Sequence, residues 1–300
     1  MSKQIKSNAC LLGTAIIWGF AFVAQKDGMN SIGPFLYSAI RMLIGSATLA
    51  VMFIAGDRIK GKTHAEKNTF SKKTLLTGGA IAGIVMFFAA NLQQVGLVYT
   101  NAGKTAFITA LYILLVPIIG VFLKHKTNIN NWIGAVIGAA GLYFLCVTTQ
   151  FTVAAGDIIV FIGAFGWAAH ILVVDHFAPK VDIVRLMCIQ FLISGVLSLI
   201  VAMLTEEIIL SDILSCSSGL LYTGIMSTAL AFTLQGIGQK NANPTTASIL
   251  LSTESFFGAV CGFIFLHEVM SGRELIGCIL MLTAVILAQL PSKHKVKSSK

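Results

Sequence analysis

Two ionisable side chains lie in stretches that are otherwise apolar, and their chemistry needs an explanation. Arg41 stands about seven residues inside the apolar run 34–55, and Glu254 is the only carboxylate in the middle of an apolar run. A charge at the centre of a bilayer costs about 2.5–3.5 kcal/mol. A guanidinium can hold a carboxylate or a phosphate through two parallel hydrogen bonds. Arg41 is therefore either an anchor for an anionic substrate or a structural residue that pairs with Glu254 or with backbone carbonyls.

Glu254 has two possible roles of its own. A carboxylate within a membrane span can carry a proton or another cation during transport. The same residue shares a helical face with Ala247 and Gly258, which is typical of a packing surface between helices. Glu254 is therefore a candidate for ion coupling, with a structural role as the alternative. His170 is the second candidate, because an imidazole changes charge near physiological pH.

Hydroxyl, amide and aromatic side chains recur at helical spacing in several apolar runs. Thr105, Thr109 and Tyr112 are separated by four and three residues and share one helical face. Any single hydroxyl on such a face is most simply an interhelical hydrogen bond, worth about 0.6 kcal/mol. Several such faces together predict a polar cavity. With Arg41, the candidate substrate-binding residues are Trp18, Phe22, Gln25, Asn91, Gln94, Thr109, Tyr112, Trp167, His170 and Ser252.

The sequence motifs of hydrolytic, metal-dependent and nucleotide-dependent enzymes are missing or lie in the wrong context. The sequence contains no HExxH motif, and its six cysteines include no CxxC pair. We therefore expect no catalytic residue, no metal and no cofactor. Residues 56–63 match GxxxxGK[ST], but a phosphate-binding loop needs a strand before it and a helix after it. An apolar run precedes this segment, so we interpret the match as coincidence.

The elements that carry these residues are predicted to be membrane helices. Of the 300 residues, 56% are hydrophobic and 11% are charged, whereas ordinary globular chains carry about 25% charged residues. A helix needs about 20 apolar residues to cross a bilayer. The predicted spans are 8–25, 34–55, 74–97, 103–123, 130–147, 156–174, 183–204, 215–237, 244–266 and 271–290. The fold class is therefore an all-α integral membrane protein with ten transmembrane helices.

The distribution of Lys and Arg predicts the orientation of these spans. If the N-terminus lies inside, seventeen Lys and Arg residues fall in inner segments and three fall in outer loops. Cytoplasmic loops carry the excess of these residues in membrane proteins. We therefore expect a multi-pass protein of the cell (inner) membrane with both termini in the cytoplasm. The same explanation covers the formal net charge of +9, so the expected partner is the lipid bilayer and not nucleic acid.

The chain also repeats itself. Residues 17–19 match residues 166–168 at an offset of 149, and the pattern Leu-Gln-x-x-Gly at 92–96 recurs at 234–238. Such matches run in order through five spans per half, and an odd number of spans inverts the second copy. Inverted repeats with a site near the midplane are typical of secondary transporters. The predicted domains are a five-helix repeat at 8–147, a second at 156–290 and a basic cytoplasmic tail at 291–300.

Several of these segments resemble a known family. Residues 17–26, reading IWGFAFVAQK, and Arg41 in the second span look like the opening of an EamA-type protein of the drug/metabolite transporter superfamily. Residues 97–117, reading LVYTNAGKTAFITALYILLVP, are similar in the same way, as are 253–256 in the second half. The resemblance implies ten helices in two five-helix halves, and the export or exchange of small metabolites. Asp175 and Gln190 stand where the first half has Lys26 and Arg41, so the halves are not equivalent.

Together these features predict a secondary transporter that exports or exchanges a small-molecule metabolite by alternating access. One alternative is an integral-membrane enzyme, which would need a nucleophile, an acid–base pair or a metal cluster. The other alternative is a passive channel, which would need a continuous polar or charged lining. The protein is expected to act as a monomer or a homodimer.

Overall fold

The computed structural model describes residues 3–59, 71–100, 102–125, 127–147, 154–265 and 271–290. Within these ranges the chain is helical and contains no strand. The first half consists of α1 (Lys3–Gly28), α2 (Pro34–Ile59), α3 (Lys72–Tyr99), α4 (Ala102–Ala110), α5 (Tyr112–Phe122) and α6 (Ile129–Cys146). The second half consists of α7 (Ala155–Phe177), α8 (Ile183–Thr205), α9 (Leu210–Ser215), α10 (Ser217–Leu221), a π-helix (Tyr222–Ala231), α11 (Phe232–Gln239), α12 (Pro244–Leu251), α13 (Glu254–Phe265) and α14 (Gly272–Gln289).

In the described part of the chain, nine helical segments are long and apolar enough to cross a membrane. They correspond to nine of the ten predicted spans. The remaining predicted span, 244–266, corresponds to α12 and α13, which have eight and twelve residues and are separated at Ser252 and Thr253. Its last residue lies outside the described ranges, as do the segment 60–70, with the second half of the GxxxxGK[ST] match, and the basic tail 291–300.

Large apolar side chains cover the outside of the helical bundle. Phe122, Leu204 and Leu210 are 81%, 79% and 70% exposed, and many other large apolar residues are also exposed. A water-soluble monomer rarely presents so much contiguous apolar surface. Hydrocarbon is the solvent that suits this surface, in agreement with the apolar composition of the chain.

Two of the predicted spans are broken near their middle, one in each half. The first break lies at Leu111 between α4 and α5, where the Leu111 N–H donates to the Ile108 carbonyl at 3.2 Å. The second lies between α12 and α13, where the hydroxyls of Ser252 and Thr253 donate to the carbonyls of Ile249 and Leu250 at 2.9 and 2.6 Å. These hydroxyl bonds satisfy carbonyls near the break, which lipid could not do.

The helix before α11 widens into a π-helix, and α1 packs against it. The Trp18 indole N–H donates to the Ser227 carbonyl at 3.1 Å, and the Thr14 hydroxyl donates to the Ala231 carbonyl at 2.9 Å. In the other direction, the Tyr222 hydroxyl donates to the carbonyl of Ile17 at 2.9 Å. Because π-helical turns leave some carbonyls poorly bonded within the helix, these side chains fix α1 against it.

Helices of the two halves contact each other in a symmetrical pattern. α2 packs along α8, and α6 packs along α14, so each of these helices contacts the one that holds the same place in the other half. α3 packs along α7. When the halves are exchanged, α7 corresponds to α1 and α3 corresponds to the π-helix with α11, and α1 also packs against the π-helix and α11. The set of helix pairs is therefore nearly unchanged when the halves are exchanged.

Glycines let the backbones of α6 and α14 approach each other closely. A Cβ atom built on Gly277 would lie 2.7 Å from the Leu145 nitrogen and 2.8 Å from the Gly141 carbonyl oxygen. A Cβ atom on Gly141 would lie 2.9 Å from the Met281 nitrogen. These partners are backbone atoms and cannot rotate away, so only glycine fits at both positions without moving a helix. Close approach through small residues is the usual basis of helix association in membranes.

Gly277→Ala tests the close approach of α6 and α14, because the added methyl group overlaps the α6 backbone. We expect a loss of about 1–3 kcal/mol of stability, seen as a lower melting temperature of the purified protein in detergent. The matched control is Gly56→Ala in α2, where a Cβ atom meets nothing within 4 Å. Alanine should leave stability there unchanged or slightly higher. Equal melting temperatures for Gly277→Ala and the unmodified protein would contradict this packing.

Candidate functional site

A cavity lies between helices of both halves of the chain. It is lined from the first half by α1, α2, α3, α4 and α5, and from the second half by α7, the π-helix, α11 and α13. The lining residues are Trp18, Ala21, Phe22, Gln25, Arg41, Gln93, Thr109, Tyr112, Trp167, Ile171, Ser227, Phe232, Gln235 and Glu254. Apolar walls with a few polar groups are typical of sites for small molecules.

Corresponding residues of the two halves face this cavity together. Trp18 and Trp167 are related by the offset of 149 residues, and Gln93 and Gln235 are related by the offset of 142. Phe232 lies between the two tryptophans, with ring centroids 4.6 Å from Trp18 and 6.0 Å from Trp167. The Trp167 and Phe232 rings are inclined by only 19°. The Trp18 and Phe232 rings are tilted by 59°, so the three rings form an angled aromatic wall that an apolar ligand could contact.

Arg41 is the cation of the cavity lining, and part of its hydrogen-bonding capacity is unused. The side chain is 3% exposed, and its Nε and Nη2 atoms are buried without a hydrogen-bond partner. Tyr37, one turn before it, directs its hydroxyl to the Ala24 carbonyl and Thr223. Arg41 therefore keeps two buried donors that neither backbone carbonyls nor neighbouring side chains satisfy.

The space beside Gly45, one turn after Arg41, is already filled by the protein. A Cβ atom on Gly45 would lie 2.5 Å from the Thr228 Cγ2 atom of the π-helix. Gly45 therefore serves the packing of α2 on the π-helix and does not open a path for a ligand to reach Arg41.

Glu254 begins α13 directly after the helix break and faces the same cavity. It is 4% exposed, and its Oε1 atom accepts a hydrogen bond from the Tyr112 hydroxyl at 3.3 Å. A carboxylate at a helix N-terminus is also favoured by the helix dipole. Among the described residues Arg41 forms no ion pair, with Glu254 or with any other carboxylate. The ion pair considered from the sequence is therefore not formed, although both charges line one cavity.

Eight of the twelve residues selected from the sequence line the cavity. They are Trp18, Phe22, Gln25, Arg41, Thr109, Tyr112, Trp167 and Glu254. They come from helices that are far apart in the chain, and the fold brings them together around one space.

The other four selected residues do not line this cavity, because their side chains are engaged in contacts within and between helices. The Asn91 amide donates to the Ser198 hydroxyl at 2.7 Å, and the Gln94 amide donates to the Met29 sulfur at 3.1 Å. The Ser252 hydroxyl donates to the Ile249 carbonyl at the helix break. His170 is fully buried, with its Nε2 atom 3.2 Å from the Gln190 Oε1 atom.

Six lining residues were not selected from the sequence, and the repeat could have identified several of them. Gln93 and Gln235 occupy the same place in the repeated Leu-Gln-x-x-Gly pattern. Ile171 follows Trp167 by four residues, as Phe22 follows Trp18. Ala21, Ser227 and Phe232 carry no such signal, since a small residue, a π-helical turn and one more phenylalanine are ordinary in an apolar run.

The cavity offers no metal-binding cluster. In the described part of the chain, no group of three or more His, Cys, Asp and Glu side chains is placed to hold a metal ion. Its polar groups are amides, hydroxyls, one guanidinium and one carboxylate, which suit the binding of a small polar molecule by hydrogen bonds and charge.

Comparisons with known proteins agree with this architecture. An uncharacterized transporter of Archaeoglobus fulgidus is 27% identical over 291 residues, which cover 96% of this chain and 87% of the relative. The uncharacterized transporter YoaV of Bacillus subtilis is 22% identical over 292 residues, which cover 95% of this chain and 97% of the relative. One solved crystal structure has the same fold, with a TM-score of 0.75 and 18% identity over 95% of this chain and 97% of that one.

The family itself follows from a match to both halves of the chain. The model of the EamA-like transporter family matches residues 5–147 and again residues 154–290. With nine helices that are long and apolar enough to span a membrane in the described ranges, the protein is a multi-pass membrane protein, and the chain belongs to the EamA-like transporter family.

Proposed function

We propose that this protein is a secondary transporter that exports or exchanges small metabolites across the cell membrane by alternating access. The observation that carries the proposal is the central cavity, which is lined by corresponding residues of both halves. A substrate held between two halves is exposed to one side or the other as the halves move. The names of the relatives support transport in general and leave the substrate open.

The proposal includes ten transmembrane helices arranged as two inverted five-helix repeats. The symmetrical contacts of α2 with α8 and of α6 with α14 support it. The breaks at Leu111 and at Ser252 also support it, since they interrupt corresponding helices close to the cavity. Broken helices near the membrane midplane are common at the binding sites of such transporters.

Contacts between the halves at both ends of the bundle support alternating access. Near the predicted outer surface, Lys104 Nζ lies 3.2 Å from Asp157 Oδ2. Near the predicted inner surface, Arg185 Nη2 lies 2.6 Å from Asp57 Oδ2. Each ion pair joins a residue of one half to a residue of the other. Rocking of the halves would break contacts at one end while those at the other end persist.

The two alternative classes have less support. An enzyme would need reactive groups placed together, and the cavity brings one carboxylate next to a tyrosine, with no histidine among its lining residues. A channel would need a continuous polar path, whereas the cavity has aromatic walls on several sides.

Carrier function is tested by counterflow in proteoliposomes that are loaded with candidate metabolites. In a carrier, unlabelled solute inside the liposomes should drive a transient accumulation of labelled solute, and the flux should saturate with solute concentration. A channel should show neither behaviour. Thr109→Phe fills the cavity and should lower this flux at least about tenfold. Thr283→Phe is the matched control on the exposed face of α14 and should leave flux unchanged. Flux without counterflow would identify a channel instead.

Reporter fusions test the proposed orientation. Green fluorescent protein fused after Lys67 or Lys297 should fluoresce, because both sites are placed in the cytoplasm by the distribution of basic residues. Alkaline phosphatase fused after Glu207 should be active, because this site is placed outside. Active phosphatase after Lys67 together with inactive phosphatase after Glu207 would show that the orientation is opposite to the proposed one.

Glu254 is the proposed ion-coupling residue, because it lines the cavity whereas His170 is bonded to Gln190 outside it. Glu254→Gln keeps an acceptor for Tyr112 but cannot titrate. We expect this variant to lose accumulation driven by a pH gradient while it keeps exchange at equal pH. Glu207→Gln, at an exposed loop carboxylate, is the matched control. If Glu254→Gln accumulates solute as the unmodified protein does, Glu254 is not the coupling residue. If His170→Gln then loses this accumulation, His170 is the coupling residue.

A further inference from the structure

The two halves differ where the first two helices of each half carry a pair of corresponding positions, on α1 and α2 in the first half and on α7 and α8 in the second. With the offset of 149 residues, Arg41 in α2 corresponds to Gln190 in α8. The same offset relates Ala21 in α1 to His170 in α7. The second half therefore has two large polar side chains at positions where the first half has an arginine and an alanine.

In the second half these two side chains contact each other. The His170 Nε2 atom is 3.2 Å from the Gln190 Oε1 atom, and both residues are fully buried. Neither residue lines the cavity. The imidazole of α7 thus occupies the space in front of the α8 amide and provides its hydrogen-bond partner.

In the first half the corresponding space belongs to the cavity. Ala21 ends at its Cβ atom, and both Ala21 and Arg41 line the cavity. The Nε and Nη2 atoms of Arg41 are buried and have no partner. A buried donor without a partner costs about 1–3 kcal/mol, and more when it is charged. Arg41 thus lines the cavity with unpartnered donors, whereas the corresponding Gln190 has the His170 imidazole as its neighbour.

We propose that the part of the cavity beside Arg41 is a subsite that binds the carboxylate of the transported molecule. The carboxylate would occupy the position that corresponds to the His170 imidazole in the second half. The inference rests on the proposed transport function and names the substrate class for the same cavity. The ligand is a small monoanion with an apolar, preferably flat, body.

The donor set of Arg41 favours a carboxylate over other anions. Nε and Nη2 lie on one edge of the guanidinium, and two parallel N–H groups match the two oxygens of a carboxylate. Arg41 is the one cation among the lining residues, and Glu254 already contributes a carboxylate to the cavity. A dianion such as a phosphate ester would place a second, uncompensated charge there. The aromatic wall of Trp18, Trp167 and Phe232 suits the apolar remainder of the ligand.

The test compares acids with their amides on the full-length protein in nanodiscs. The probes are benzoate, 3-phenylpropionate and 4-methylpentanoate, each with its primary amide, which removes the negative charge and keeps the shape. Binding is measured as the rise in melting temperature with ligand concentration. We expect at least one acid to bind and its amide to bind about 10- to 100-fold more weakly, as is usual when a charged hydrogen bond is lost.

Three variants locate the subsite. Arg41→Gln should abolish the preference for the acid over the amide, and Arg41→Lys should weaken acid binding, because lysine lacks the guanidinium edge. Ala21→His should fill the space beside Arg41 with an imidazole, whose unprotonated nitrogen can accept a hydrogen bond from the guanidinium. This variant should melt no lower than the unmodified protein and should lose acid binding. The matched control, Ala9→His at an exposed position of α1, should bind normally.

Clear results would overturn the inference. It fails if no acid of the panel binds, if amides bind as well as acids, or if Arg41→Gln and Ala21→His bind acids normally. Counterflow of other metabolites in the same preparation would then show that the transport function stands with a different substrate class. Absence of any counterflow would instead refute the proposed function itself.

Discussion

Every backbone polar group in the membrane interior must find its partner within the protein, because hydrocarbon offers none. Regular helices meet this requirement automatically, and irregular ones need help from side chains. The break before Glu254 is supported by the hydroxyls of Ser252 and Thr253. The π-helix is supported by Trp18, which donates to the Ser227 carbonyl. Side chains of the same segment therefore satisfy the backbone at the break, and a side chain of a neighbouring helix satisfies it at the π-helix.

The same irregular segments supply the cavity with functional groups. Tyr112 follows the break at Leu111 directly, and Glu254 follows the break at Ser252 and Thr253. Their side chains meet in a hydrogen bond of 3.3 Å across the two halves. Ser227 belongs to the π-helix and lines the cavity as well. Regular packing of α2 on α8 and of α6 on α14 surrounds these segments, so the regular part of the fold holds the irregular part in place.

The sequence was sufficient for the helical architecture and for most of the cavity. Apolar runs longer than a bilayer crossing are a strong signal, and nine of them are confirmed as helices able to span a membrane. The tenth run was correctly found as helical, but its break at Ser252 and Thr253 is a matter of local hydrogen bonding that hydropathy does not reveal. Trp18 was recognisable because the repeat places Trp167 at the corresponding position. Arg41 and Glu254 were recognisable because charged residues are rare within membrane spans.

The choice between polar residues that line the cavity and those that join helices could not be made from periodicity. Gln93 lines the cavity and Gln94, its neighbour, does not, although both are amides in the same helix. Which one faces the cavity depends on the rotation of α3, which its packing against α7 and α8 determines. His170 was selected as a titratable group, and its engagement with Gln190 depends on the meeting of α7 with α8.

The separation of Arg41 from Glu254 is the feature that distinguishes a binding site from a structural ion pair. If the two charges paired, a ligand would first have to break them apart, and breaking a buried pair costs about 3–5 kcal/mol. Tyr112 instead holds the carboxylate, and Arg41 keeps one edge of its guanidinium unsatisfied in a lining that also contains Ala21. The protein bears the cost of that unsatisfied cation within a framework of closely packed glycines, at Gly141 and Gly277 among others. Under the proposed function, the two separated charges remain available to a substrate, which a structural ion pair between them would not allow.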